Sequence, residues 1–152
     1  MKVFKIVILV LITGLVGIQF FPASLNQNNT ITKTDFAKTF NAPNEIQNLL
    51  KKSCYDCHSN NTIYPWYSKV QPMAWMMEDH INEGKKELNF NEFGTYSKRK
   101  QKSKLKSIIS QIKDGEMPLS SYTLMHGDAT LSEKDKQLLV DWFTNVRDNL
   151  NK

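Results

Sequence analysis

Cys54-Tyr55-Asp56-Cys57-His58 uses both cysteines of the 152-residue chain and one of its three histidines. The spacing C-x-x-C-H is the attachment signature of a c-type haem. Two thiols three residues apart can add to the two vinyl groups of one porphyrin, and the imidazole that follows is placed to ligate the iron. Other readings of paired cysteines want partners absent from this sequence. A zinc knuckle needs a second ligand pair, and a thioredoxin-type motif needs a βαβ setting. A Cys54–Cys57 disulfide is the simplest competing reading. The pentapeptide therefore predicts one covalent haem c, with Cys54 and Cys57 as the thioether residues and His58 as proximal iron ligand. It also bears on the fold, because a chain this short builds a limited core and a prosthetic group compensates for that.

Outward from the box, the chain reads as helices. Ile46, Leu49 and Leu50 fall at i, i+3, i+4 behind Asn44 as a cap, so a helix leads directly into Cys54. A second helix is expected from Pro72 to Gly84, with proline in the first turn and glycine just past the end. Its Met73, Met76, Met77 and His80 share one face, which is expected to look toward the apolar interior. Asn89 to Phe93 reads as a loop. A third helix is expected over Lys98–Asp114, with Leu105, Ile108, Ile109 and Ile112 as its buried stripe and Gly115 ending it. Ser132-Glu133-Lys134-Asp135 is a capping-box pattern opening a last helix through Leu138, Leu139, Trp142, Phe143 and Val146. No useful strand alternation appears. The fold class is all-α, a small cytochrome-c-like helical domain around one covalent haem, preceded by an N-terminal transmembrane anchor.

That anchor is read from the first residues. Lys2 and Lys5 precede an apolar run from Ile6 to Phe21, so Val3 to Ala23 is about the ~20 residues of a bilayer-spanning helix. The exit, Phe20-Phe21-Pro22-Ala23-Ser24, is a poor cleavage site, which favours an uncleaved signal-anchor over a cleaved signal peptide. The lysines put the N-terminus in the cytoplasm and the domain on the periplasmic, extracytoplasmic side of the inner membrane. Cytochrome c maturation takes place there, so the two readings agree. The expected divisions are 1–24 signal-anchor, 25–37 linker and 38–152 c-type haem-binding domain. The net charge of +5 owes much to the anchor and to the run Lys98 to Lys106. Export argues against nucleic acid as its partner, leaving a solvated helix face that can meet an acidic partner or lipid headgroups.

Three residues compete for the sixth iron position. Met117 lies in Gly115-Glu116-Met117-Pro118, where a Met-Pro pair in a loop before the last helix can bring a thioether to the iron. Otherwise it is a core gap-filler, as most methionines are. His80 needs a partner on its apolar face, and either the iron or a hydrogen bond can provide one. His126, in a turn-like Met125-His126-Gly127-Asp128 setting, ranks third. Trp66, Tyr67, Trp75, Phe90 and Phe93 either wall a haem crevice or form the core.

Taken together, the Cys box, Tyr64-Pro65-Trp66-Tyr67, Pro72-x-x-Trp75, His80-x-x-x-Gly84, Leu88-Asn89-Phe90, Glu116-Met117-Pro118, Tyr122, His126 and Leu131-Ser132 before Trp142 resemble the small bacterial haem-binding domain family. The resemblance covers about residues 38 to 148. It implies covalent haem, a membrane-tethered or exported protein, and redox service with partner proteins. One departure is Lys85, where the family pattern has arginine. If this side chain pairs with a haem propionate, lysine keeps the charge but loses the bidentate fork. No nucleophile–base pair or Gly-rich phosphate loop is present, so the reading is electron transfer rather than catalysis. The alternatives are a peroxidase-like enzyme with His80 or His126 as general base, and a haem-based redox or gas sensor with an open distal site.

Overall fold

The computed structural model of the chain describes residues 1–28, 30 and 32–150. All named elements are helical: α1 Lys2–Ile18, α2 Phe36–Thr39, α3 Asn44–Ser53, α4 Tyr55–His58, α5 Met73–Glu87, α6 Lys98–Lys113, α7 Ser120–Met125 and α8 Glu133–Asn149. Short 3-10 turns at Trp66–Lys69, Phe90–Thr95 and Gly127–Ala129 join them. An isolated bridge between Gln27 and Asn61 is the only extended pairing among the described residues. The all-α expectation holds.

Local chemistry explains most helix ends. Asp35 caps α2 by accepting from the Ala37 and Lys38 N–H groups, and Ser97 caps α6 at Lys100 N–H. Ser132 and Asp135 form the expected reciprocal capping box at α8. Gly115 follows α6 at φ +72, where a side chain would be strained. Pro43, rather than Asn44, occupies the cap of α3.

The core gathers where α6 and α8 pack on α3. Leu105, Ile109 and Ile112 meet Leu139, Val140 and Phe143, with Ile46, Leu49 and Leu50 closing the cluster. Phe36, fully buried, lies at its aromatic centre. Its ring meets Phe93 at 4.7 Å, Phe90 at 5.3 Å, Trp142 at 5.4 Å and Phe143 at 5.6 Å. Such tilted and edge-on pairs add to the burial of apolar area.

Residues expected as a linker are tied to this body. The Asn26 N–H donates to Tyr64 Oη at 2.7 Å, and its Nδ2 donates to Ser59 O and Thr62 Oγ1, each at 2.9 Å. Thr34 Oγ1 donates to the Asn91 carbonyl at 2.9 Å. Polar composition was read as a spacer, whereas these side chains pair with carbonyls and hydroxyls of the domain. Asn29 and Ile31 of that segment, and residues 151–152 of the expected domain, lie outside the described residues.

The expected spanning helix from Val3 to Ala23 is corrected. The helix α1 has 17 residues, and no helix among the described residues is long and apolar enough to cross a membrane. It stops where Gln19 turns to α5: Gln71 N–H donates to Gln19 Oε1 at 2.9 Å, and Gln71 Nε2 and Trp75 Nε1 donate to Phe21 O at 2.9 and 3.1 Å. Two further expectations change. Gly84 lies inside α5, which runs on to Glu87, and Asn89–Phe93 lies at and within a capped 3-10 turn. The methionine face of α5 is also not interior, for Met73 and Met76 are exposed and Ala74 and Ile81 are the buried residues of this helix.

Candidate functional site

The helix α3 delivers the box, and Cys54 breaks the helical path at φ −132, ψ −42, ending α3 and starting α4. His58 N–H then bonds Cys54 O at 3.0 Å. This single turn brings Cys54, Cys57 and His58 together at i, i+3 and i+4. Both thiols are free and half-buried. Burial, then the neighbouring Cys57, pushes the Cys54 thiol up to about 12. Burial and the Asp56 charge push Cys57 up to about 11. Both therefore stay as S–H at neutral pH.

His58 is held from one side only. Its Nδ1 faces two backbone carbonyls, Gly84 O at 2.9 Å and Leu88 O at 3.1 Å. Carbonyls only accept, so Nδ1 carries the proton and Nε2 keeps its lone pair. Burial lowers the imidazole pKa, keeping the ring neutral. A neutral ring with its second nitrogen pinned is how metal-binding histidines are oriented.

The glycine that had been read as a helix end makes this contact possible. A Cβ on Gly84 would stand 2.8 Å from the Cys57 carbonyl oxygen and 3.3 Å from its Cβ. Helix α5 can thus lie directly against the box and present its carbonyl to His58. Gly84→Ala is expected to lower stability by about 1–3 kcal/mol through overpacking, despite alanine's better helix propensity. Urea unfolding of the two proteins checks it, and an unchanged or higher midpoint would refute the close-packing argument.

Asp56, the third residue of the box, holds the opposite bank. Its carboxylate accepts the Tyr122 O–H at 2.7 Å and the Ile63 N–H at 3.0 Å. Through Tyr122 the box is tied to α7, and so to the loop that carries Met117. Asp56 lies at an x position of the motif, so the C-x-x-C-H spacing carries no signal for it.

Between these walls runs an open cleft of about 320 Å³, lined by Cys54, Cys57, His58, Phe90, Ile108, Ile112 and Met117 among others. That lies within the ~300–1,000 Å³ of small-molecule and cofactor sites. Its donor set suits haem: two unbridged thiols, an imidazole with a free nitrogen, and a thioether from the α6–α7 loop. Met117 is half-buried, its N–H bonded to Gln111 O at 3.3 Å. His80 is exposed and also lines the cleft.

His126 does not line the cleft. It sits in an adjoining groove, its ring stacked on Tyr122 at 4.3 Å and its Nε2 3.2 Å from Tyr67 Oη. Lys85 is also elsewhere, its Nζ donating to Asn26 Oδ1 at 2.6 Å. The cation beside the cleft is Lys104, paired with Glu87 at 3.2 Å. Its spacing from Ile108, Gln111 and Ile112 puts it on the helical face that lines the cleft, a signal available in the sequence but hidden within the lysine run. Of the expected aromatic wall, Phe90 lines the cleft and Phe93 is core, while Trp66 is 78% exposed.

The sequence pattern of the haem-binding domain family matches residues 13–145. No curated protein and no solved structure matches the chain. With a cleft whose donors suit haem and a match over most of its length, the chain belongs to the haem-binding domain family and is a haem protein.

Proposed function

We propose that this haem protein is a membrane-tethered c-type cytochrome that carries one covalent haem and transfers electrons. Cys54 and Cys57 form the thioether bonds, each S–H adding across one vinyl group, so attachment itself moves no net electrons. His58 Nε2 and the Met117 thioether hold the iron. The observation that carries this reading is the pair of carbonyls at His58 Nδ1, which leaves Nε2 unprotonated on a residue lining the same cleft as both cysteines.

The same geometry favours Met117 over His80. Nδ1 is taken by the Gly84 and Leu88 carbonyls, so Nε2 is the nitrogen that would bind iron. His80 and Met117 both line the cleft, but Met117 is half-buried there whereas His80 is exposed. Bound haem supplies a reversible one-electron change at iron, which an axial methionine biases toward higher potential. The protein's part is to fix both ligands and to surround them with the apolar side chains of Phe90, Ile108 and Ile112.

The ferric spectrum tests the ligand assignment. The wild type is expected to be low-spin with the weak near-infrared band of Met–Fe ligation. Met117→Ala should lose that band and turn high-spin, and His80→Ala should keep it. A His80→Ala variant that alone turned high-spin would reverse the assignment. A high-spin wild type responding to cyanide or peroxide would favour a peroxidase-like enzyme or a sensor.

Redox partner proteins are inferred from charge. Lys98, Arg99, Lys100, Lys102 and Lys106 are exposed on α6, the helix whose Lys104 reaches the cleft. An acidic partner would be steered to that face. Oxidation by ferricyanide is expected to slow as salt is added, because screening shortens the field to ~8 Å at physiological ionic strength. A rate indifferent to salt would argue against such steering.

The membrane tether is inferred from α1, which buries no residue. The haem domain would then lie on the extracytoplasmic side. Recovery of the full chain wholly in the soluble fraction would contradict the tether.

A further inference from the structure

Beside the haem cleft lies a smaller groove of about 90 Å³. One wall is α5, with Met73, Met76, Met77 and His80, and the other is the end of α7, with Met125. Methionines ordinarily fill gaps inside a core, yet Met73 is 36% exposed and Met76 and Met125 are each 51% exposed. Met76 and His80 stand at i, i+4 and Met77 and His80 at i, i+3, the spacings that make side chains neighbours on a helix. The His80 imidazole has no hydrogen-bond partner among the described residues, so it is uncommitted there.

We propose that this groove is a Cu(I) site, with the Met76, Met77 and Met125 thioethers and the His80 imidazole as donors. Three of these donors come from α5 and Met125 comes from α7, so the set draws on two helices. Thioethers are soft ligands that select Cu(I) over harder divalent ions. The other donors at the groove are engaged. Asp56 accepts from Tyr122 and Ile63, and His126 is held between Tyr122 and Tyr67. Cys57 is consumed by haem attachment in the proposed cytochrome. The His80 role is compatible with iron held by Met117 and separable from it.

The test uses haem-loaded full chain, titrated anaerobically with Cu(I) against the colorimetric chelator bicinchoninate. One Cu(I) per chain should be retained with the haem spectrum unchanged. The volume-conserving Met76→Leu/Met77→Leu variant should keep its haem spectrum and helical circular dichroism, yet lose more than the ~10–100-fold in affinity that removal of an outer-shell partner costs. His80→Ala should weaken Cu(I) as well. Failure of the wild type to retain Cu(I), or equal retention by the double variant, overturns the proposal, as does Cu(I) binding that abolishes the Met–Fe band. If the chain matures without haem, the missing visible spectrum reports failure of the cytochrome reading alone. The same titration on Cys54→Ser/Cys57→Ser chain, which has no thiols, then decides the copper site.

Discussion

Cys54→Ser/Cys57→Ser protein, produced with the cytochrome c maturation machinery, is expected to carry no haem that survives denaturation. Serine is nearly the shape of cysteine, so the turn that ends α3 and begins α4 should form as before. What disappears is the ability to add across a vinyl group. The half-buried S–H groups, pushed up to about 12 and about 11, are not thiolates at neutral pH in the folded chain. They are thus held for bond formation or packing rather than as reactive anions. Haem staining of a denaturing gel checks the outcome: full signal in the wild type, reduced signal in either single variant, none in the double. A stained double variant would show that the cysteines are structural and that haem is held in another way.

His58→Ala should have an effect of similar size by a different route. The substitution removes the nitrogen proposed to bind iron and also the donor shared by Gly84 O and Leu88 O. Gly84 O still accepts the Leu88 N–H at 2.9 Å, so Leu88 O bears most of the loss. One unsatisfied buried carbonyl costs about 1–3 kcal/mol, a large share of a small domain's ~5–15 kcal/mol. The variant should therefore be about 1–3 kcal/mol less stable and, lacking the proposed iron ligand, mature less haem-bearing protein than the wild type. Added imidazole should restore a low-spin spectrum to the fraction that matures. A purely structural histidine would not respond to imidazole, so that readout separates ligation from packing.

The motif and the helix periods carried most of the architecture. Cys54-x-x-Cys57-His58 was legible as a haem-attachment pattern because that spacing is set by a cofactor rather than by a helix or strand period. The stripes of α3, α6 and α8 were legible because one apolar face points at one core. What the sequence concealed was long-range. Gly84 looked like a helix terminator, since a glycine carries no mark distinguishing a stop from a close approach to Cys57. Asn26 and Thr34 looked like spacer because polar residues read alike whether they meet water or a neighbouring carbonyl. The α5 methionines looked like core because hydrophobic spacing does not tell a packed face from the wall of a groove. Spacing along the chain did not show that His80 and Met117 line the same cleft, a fact of tertiary packing. The N-terminal apolar run continues past the point where Gln19 finds Gln71, which no reading of hydropathy could anticipate.

The central claim, covalent haem at the box, meets its most direct test in the mass of the denatured chain. Mass spectrometry of protein matured in the cell is expected to give the mass of the chain plus one haem, with the added mass mapping to the peptide that contains Cys54 and Cys57. A chain mass without haem, accompanied by free haem released on denaturation, would contradict it.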